Sequence, residues 1–169
     1  MKQRRDNRLV LVIATLLTFA VIGFVIDRQG SRSATQMDDA SAGNLQASFQ
    51  FAVSLLNARH YEQAADAFDK VLMLHPEMPE ANVNMGFSLI GLQRYELARQ
   101  FFQIAADLRP AQRNAYYGLA VAHEGLGKLD EAVVAMRTYA HLTPEDDPYL
   151  RKAESAIWEW EAELSGSAQ

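Results

Sequence analysis

The hydrophobic pattern begins with one continuous apolar segment. Residues 9–26 read LVLVIATLLTFAVIGFVI, in which Thr15 and Thr18 are the only polar side chains. At 1.5 Å of rise per residue, an α-helix of this length covers roughly 27 Å, close to the hydrocarbon thickness of a bilayer. A helix that is apolar around its whole circumference does not fit the surface of a small domain. Residues 9–26 are therefore predicted to form a transmembrane helix.

The residues on either side of this segment predict its orientation. Residues 1–8 carry four Lys and Arg against one Asp, which favours a cytoplasmic N-terminal tail. A cleaved signal peptide is the alternative, but its apolar region is shorter and ends at a small-residue site. We expect an uncleaved signal anchor, although a Ser31-x-Ser33 site leaves cleavage open. Residues 27–44 are small and polar without periodicity and are predicted to be a flexible linker.

Beyond the linker, the apolar positions recur at a fixed period. Three units of equal length, 45–78, 79–112 and 113–146, align without insertion or deletion. Each unit contains two apolar stripes at helical spacing separated by a short turn, which predicts a pair of antiparallel helices. The repeated framework consists of small residues that allow close helix packing and prolines that end each unit: Gly86, Ala64, Ala98, Ala132, Pro76, Pro110 and Pro144.

This pattern resembles the tetratricopeptide repeat, whose unit has the same length. The resemblance implies an all-α fold in which three helix pairs stack into a right-handed α-solenoid after the transmembrane helix. The last helix pair needs a further helix that covers its apolar face and is polar on its own outer side. Residues 147–164 place apolar side chains at spacings of three and four and are predicted to be a capping helix, followed by a tail at 165–169.

The resemblance also implies a binding surface on the concave face, lined by the first helix of each pair. Carried over by register, its apolar members are Phe49, Val53, Leu56, Val83, Phe87, Ile90, Tyr117 and Val121, with Trp158 added from the capping helix. Relatives that clamp a peptide carboxylate use Lys, Arg and Asn at several of these positions, so no such clamp is expected. The surface, with Glu80, Glu124 and Glu159 at its rim, predicts binding of an amphipathic helix or an extended apolar segment.

Two alternatives stay open for this surface. Some of these side chains could pack between helices, or the groove could be filled by the linker or by a second protomer in a homodimer.

Composition and charge exclude several classes of activity. The chain has no Cys, which excludes disulfides, Cys-based metal sites and a cysteine nucleophile. Its net charge of −5 argues against nucleic-acid binding. The four histidines have no metal-site spacing, and His123 is expected to be a satisfied core histidine where the family has a packed Tyr. We expect no cofactor, no metal and no enzymatic activity.

Together these features predict a membrane-tethered protein-interaction scaffold or assembly factor. It would lie in the bacterial inner membrane with its repeats in the periplasm and act in envelope or membrane-complex biogenesis, because a tether raises the effective concentration of the groove near membrane partners. One alternative is a structural subunit of a membrane complex held mainly by residues 9–26. Another is a cytosol-facing repeat protein similar to import receptors.

Overall fold

The computed structural model of the chain describes residues 43–167, in which every regular element is an α-helix. Helix α1 covers residues 43–57, and six further helices follow: α2 Tyr61–Leu74, α3 Pro79–Gly91, α4 Tyr95–Leu108, α5 Arg113–Gly125, α6 Leu129–Leu142 and α7 Leu150–Ser167. The chain divides into two compact units, Met1–Leu45 and Gln46–Gln169. Of the first unit only residues 43–45 are described, and they are helical.

The predicted transmembrane segment at residues 9–26 lies outside the described residues. Among the helices of residues 43–167, none is both long enough and apolar enough to cross a membrane.

Three helix ends differ from the sequence-based expectation. Residues 43 and 44, assigned above to the linker, already belong to α1. The capping segment starts as a helix only at Leu150, after a turn in which the Leu150 N–H donates to the Asp147 carbonyl at 3.1 Å, and it continues to Ser167. Apolar periodicity does not locate helix ends, where a few polar residues can extend the last turn without facing the core.

The helices of each pair are joined by short turns with one shared conformation. Arg59, Gln93 and Gly127, which occupy equivalent positions in the three units, all adopt a positive φ of 58° to 73°. In each turn, the residue after the positive-φ position donates its N–H to a carbonyl of the preceding helix, as in the 2.9 Å bond from Arg94 to the Leu89 carbonyl. This is the Schellman arrangement, which satisfies carbonyls at a helix end and reverses the chain direction. The consequence is three similar antiparallel hairpins.

Consecutive helices pack against each other from α2 to α7, and α3 also contacts α5. Ala64, Ala98 and Ala132 are completely buried, as are the rings of Phe68 and Phe102. The ring of Phe102 lies directly against two glycines, because a Cβ on Gly86 would come 2.7 Å from it and one on Gly118 only 2.1 Å from it. The core is therefore built where large rings meet positions that lack side-chain volume.

The two ends of the stack are not equally covered. At the C-terminal end α7 packs on α6 and buries Ala153 and Trp160. At the other end Phe51 is 61% exposed, whereas Met85 and Leu119, at the same position of the next two units, are each 6% exposed. Met85 lies on α3, which packs on α2, and Leu119 lies on α5, which packs on α4. Phe51 lies on α1, which is the first helix of the described residues.

The close approach of Phe102 to α5 yields a stability prediction. Gly118→Ala should lower the free energy of unfolding by about 1–3 kcal/mol, because the added methyl overlaps a ring that is itself completely buried. Gly166→Ala is the matched control, since no atom lies within 4 Å of the methyl it adds. The measurement is chemical denaturation of the full chain, and equal stabilities for the two variants would contradict this packing.

Candidate functional site

The nine side chains assigned to the concave surface differ in their accessibility. Phe49 and Val83 are buried. Their side chains are covered by neighbouring helices; for example, the Phe49 ring meets the Phe68 ring of α2 edge-on, with 5.9 Å between centroids. For these two residues the surface assignment is corrected: they belong to the packing between helices, the alternative that the sequence left open.

The other seven keep some contact with solvent. Tyr117 is 41% exposed and Trp158 is 72% exposed. The remaining five are partly buried: Val53, Leu56, Phe87, Ile90 and Val121.

Four aromatic rings form a row that joins the buried Phe102 and Tyr139 through the partly exposed Phe87 and Tyr117. The centroid distances are 5.0 Å from Phe102 to Phe87, 6.3 Å from Phe87 to Tyr117, and 5.4 Å from Tyr117 to Tyr139. These distances and the tilted or edge-on angles lie in the favourable range for aromatic pairs. Since α4, α3, α5 and α6 each contribute one ring, the row fixes the relative positions of four helices.

A cavity of about 280 Å³ opens beside this row, and we refer to it as the inner cavity. Its lining residues come from α3, α5, α6 and the start of α7: Phe87, Asn114, Tyr117, Tyr139, Tyr149 and Lys152. The Lys152 ammonium lies 5.3 Å from the centroid of the Tyr149 ring, at cation–π distance. The inner cavity thus has aromatic walls, with an ammonium group and an amide at its edge.

The segment before α7 is held in place by a short polar network. The Asp147 carboxylate accepts a 2.9 Å hydrogen bond from the Arg113 guanidinium and another 2.9 Å bond from the Tyr149 N–H. This network carries Tyr149 and Lys152 to the inner cavity. Sequence reasoning missed both residues because they lie beyond the last repeat. The sequence does contain one signal of this site. The large Tyr139 stands at a position where the other two units have the smaller Val71 and Ala105.

Electrostatic interactions change the predicted acidic rim. Burial would raise the pKa of Glu80, but the hydrogen bond and charge of Arg109 hold it below its usual value. Glu124 accepts a 3.1 Å hydrogen bond from the indole of Trp160. Two of the three rim acids are therefore engaged within the protein.

Desolvation, with smaller effects of Tyr139 and Glu124, raises the pKa of Tyr117, so its phenol stays a neutral hydrogen-bond donor.

A second cavity, of about 490 Å³, is lined by residues of α4, α5 and α6, and we refer to it as the outer cavity. Its lining residues are Gln103, Tyr116, Leu119, His123, Asp130, Glu131, Val134, Ala135 and Thr138. On α5, Tyr116, Leu119 and His123 follow each other at spacings of three and four. They lie roughly 150° around the helix from Asn114, Tyr117 and Val121. The two cavities therefore use opposite faces of α5.

His123 differs from its sequence-based expectation. Its Nδ1 atom is buried and has no hydrogen-bond partner among residues 43–167, so the expectation of a satisfied histidine is wrong. Desolvation lowers its pKa; Arg99 and Lys128 lower it further, while Glu131 and Glu96 act in the opposite direction. The expectation of a satisfied histidine failed because a core position predicts burial but not the presence of a polar partner.

No group of three His, Cys, Asp or Glu side chains within residues 43–167 is arranged to hold a metal ion.

Comparison with known proteins adds independent information on the fold. The family model of the tetratricopeptide repeat matches residues 49–112 and again 84–147. Among curated proteins, Protein bimA of Emericella nidulans is 25% identical over 93 residues, which are 55% of this chain but only 12% of that protein.

Two solved structures are similar over 72% of this chain and 93% of theirs, each at 19% identity. They are the first TPR of Spaghetti (RPAP3) bound to the HSP90 peptide SRMEEVD, with a TM-score of 0.66, and PcrH in complex with the chaperone binding region of PopD, with a TM-score of 0.68. At this level of identity the similarity concerns the fold alone.

The unsatisfied histidine yields a prediction on pH dependence. Because the folded-state pKa of His123 is lowered, the unfolded chain binds a proton more readily, so this residue reduces stability as the pH falls below about 6.5. His123→Leu, which copies Leu55 and Leu89 at the same position, should weaken this dependence. It should also raise the free energy of unfolding at pH 7.5 by about 1 kcal/mol, because a buried polar atom without a partner is removed.

The measurement is urea denaturation between pH 5 and pH 7.5. His75→Leu, measured in parallel, removes an exposed histidine and shows how much of any change follows from losing a histidine elsewhere. A His123→Leu protein that keeps the wild-type slope would contradict the assignment.

Proposed function

The chain belongs to the tetratricopeptide repeat family, and from this premise we propose that it is a protein-interaction scaffold that binds an apolar or amphipathic segment of a partner protein in the inner cavity. The carrying observation is the exposure of large aromatic side chains around a preformed opening, with Tyr117 and Tyr149 both exposed there. Aromatic side chains of this kind are the usual anchors of protein interfaces.

The inner cavity has room for one or two apolar side chains of a bound segment. Its lining residues suggest how that segment would be oriented. An inserted side chain would contact the rings of Phe87 and Tyr117, while the Asn114 amide and the Lys152 ammonium would face the main-chain carbonyls of the bound segment. The Tyr117 phenol would supply a further donor. Specificity would then come from the shape of the aromatic walls, and orientation from the polar groups at the edge.

The solved relatives support this use of the fold. One was solved with a peptide and the other with a binding region of a second protein. In this chain the positions assigned to a carboxylate clamp are Phe49, Val53 and Phe87, so the proposed ligand is apolar rather than a free carboxylate.

The proposal extends to membrane tethering. Residues 9–26 would anchor the chain in a bacterial inner membrane, with residues 1–8 in the cytoplasm and the repeats in the periplasm. Residues 27–42 would give the repeats a short reach from the bilayer. Confinement near the membrane would raise the effective concentration of the inner cavity for a membrane-protein partner, which suits an assembly factor that acts without a cofactor or catalysis.

The binding proposal is tested by photo-crosslinking in membranes of cells that express the full chain. A benzophenone amino acid at position 117 should give an adduct with a specific partner, whereas the same probe at Leu97, an exposed position on α4, should not. Tyr117→Ala combined with Tyr149→Ala should reduce partner capture at least tenfold without loss of helicity, because both side chains are exposed. Adducts with the chain itself, or unchanged capture by the double variant, would overturn the proposal.

The topology is tested separately by cysteine labelling, because the natural chain has no Cys. Ser155→Cys, at an exposed position of α7, should react with a membrane-impermeant maleimide once the outer membrane is permeabilised. Gln3→Cys should react only after cell lysis. The reverse pattern would place the repeats in the cytosol and would favour the alternative of a cytosol-facing receptor.

A further inference from the structure

The outward side of α1 carries a small group of residues that no other part of residues 43–167 covers. We refer to these four residues as the α1 face, and they share one side of the helix: Ala47, Ser48, Phe51 and Leu55. The first three are exposed, with 61% exposure at Phe51, and Leu55 is partly buried.

The same four positions are buried in the units that follow. On α3, which packs on α2, the equivalent residues are at most 6% exposed: Ala81, Asn82, Met85 and Leu89. On α5, which packs on α3 and α4, Ala115 and Leu119 are buried in the same way. The α1 face is therefore equivalent to the surfaces that join one repeat to the next, and its position is that of a stacking interface.

Helix α1 also lacks charge in a chain that is acidic elsewhere. Residues 43–58 contain no Lys, Arg, His, Asp or Glu, whereas residues 43–167 as a whole carry ten Lys and Arg against seventeen Asp and Glu. Like charge opposes contact between two copies of an acidic chain. Because the α1 face carries no charge, two copies can meet there without that repulsion.

The sizes of the side chains make the α1 face complementary to a second copy of itself. The small Ala47 and Ser48 precede Phe51 by about one turn, and the larger Leu55 follows it by about one turn. If two α1 helices lie antiparallel around Phe51, Ala47 of one copy is opposite Leu55 of the other. Small residues opposite large ones allow two helices to pack closely.

The sequence before α1 has few residues suited to covering this face. Residues 27–42 contain one large apolar residue, Met37, among small and polar ones. Residues 9–26 are proposed above to lie in the bilayer. At the other end of the stack, α7 packs on α6 and covers it. These observations favour a second copy over the chain's own upstream segment as the occupant of the α1 face.

We propose that the α1 face is a homodimer interface, in which two copies of this chain meet through antiparallel α1 helices about a two-fold axis near Phe51. The same surface of each copy then covers the other, as in isologous dimers. A stable interface usually takes about 20–30 residues from each partner, more than one side of the 15-residue α1 supplies. The dimer is therefore reversible.

Dimerisation through α1 leaves the inner cavity free, because none of its lining residues lies on α1 or α2. A dimer presents two inner cavities in one assembly, so a partner with two binding segments is held more tightly than by a single copy. This consequence rests on the proposed function, whereas the interface itself does not.

The geometry is tested by disulfide formation in the purified full-length chain, which has no natural Cys. In the antiparallel arrangement Ser48 of one copy is opposite Ser54 of the other, and both are exposed. A mixture of Ser48→Cys and Ser54→Cys chains with different affinity tags should, on mild oxidation, give mainly disulfides between the two kinds of chain. Ser155→Cys, at an exposed position of α7, is the matched control and should give no covalent dimer.

The affinity is tested by sedimentation equilibrium of the full-length chain in detergent. Phe51→Glu should raise the dissociation constant of the dimer at least tenfold, because an apolar contact is replaced by two carboxylates that face each other. Helicity should be unchanged, since the ring is mostly exposed in the single chain. Gln50→Glu adds the same charge at an exposed position about 100° around α1 and should have no effect.

Three results would overturn the proposal. A full-length chain that is monomeric at every concentration measured would exclude the dimer, and resistance of its Ser48→Cys thiol to a maleimide would show that residues 1–42 cover the α1 face instead. A dimer that withstands Phe51→Glu would place self-association elsewhere, for example on residues 9–26. Disulfides that join the two kinds of chain no more often than chance would exclude the antiparallel arrangement.

Discussion

The ring of Phe102 packed between two glycines is the contact on which the described structure depends. Gly86 of α3 and Gly118 of α5 leave no side-chain volume on either side of the ring, so α4 approaches both helices more closely than larger residues would allow. A similar contact joins Tyr61 to Gly91 and, one repeat later, Tyr95 to Gly125. The aromatic row begins at Phe102, which means that the positions of Phe87 and Tyr117 at the inner cavity follow from packing deep in the core.

The fixed period of the repeat is sufficient to predict stacked helix pairs, because small and large residues recur at positions where helices must touch. Ala64, Ala98 and Ala132 are completely buried, as a packing role requires. Gly118 could not be identified in the same way. Its importance comes from one ring on a neighbouring helix, and nothing in its own unit marks it as a contact position.

The candidate site was less predictable than the fold because register gives the direction of a side chain but not what covers it. Phe49 points as its position implies, yet the Phe68 ring buries it. Tyr149 and Lys152 reach the inner cavity only through the Asp147 network at the start of α7. His123 shows the same limit: a polar residue at a core position is expected to be satisfied, whereas a hydrogen bond requires a partner from another helix.

The exposed Phe51 has a consequence for how such an array can change in length. At this position Met85 and Leu119 are sealed by the preceding unit, so the first repeat already displays the surface that another unit would cover. Duplication of one repeat unit at this end would bury Phe51 without any change to the existing helices. At the opposite end, α7 packs on α6 and buries Trp160, so α7 covers the surface on which a further unit would stack. Within residues 43–167 the array therefore has a polarity of extension, open at α1 and covered by α7.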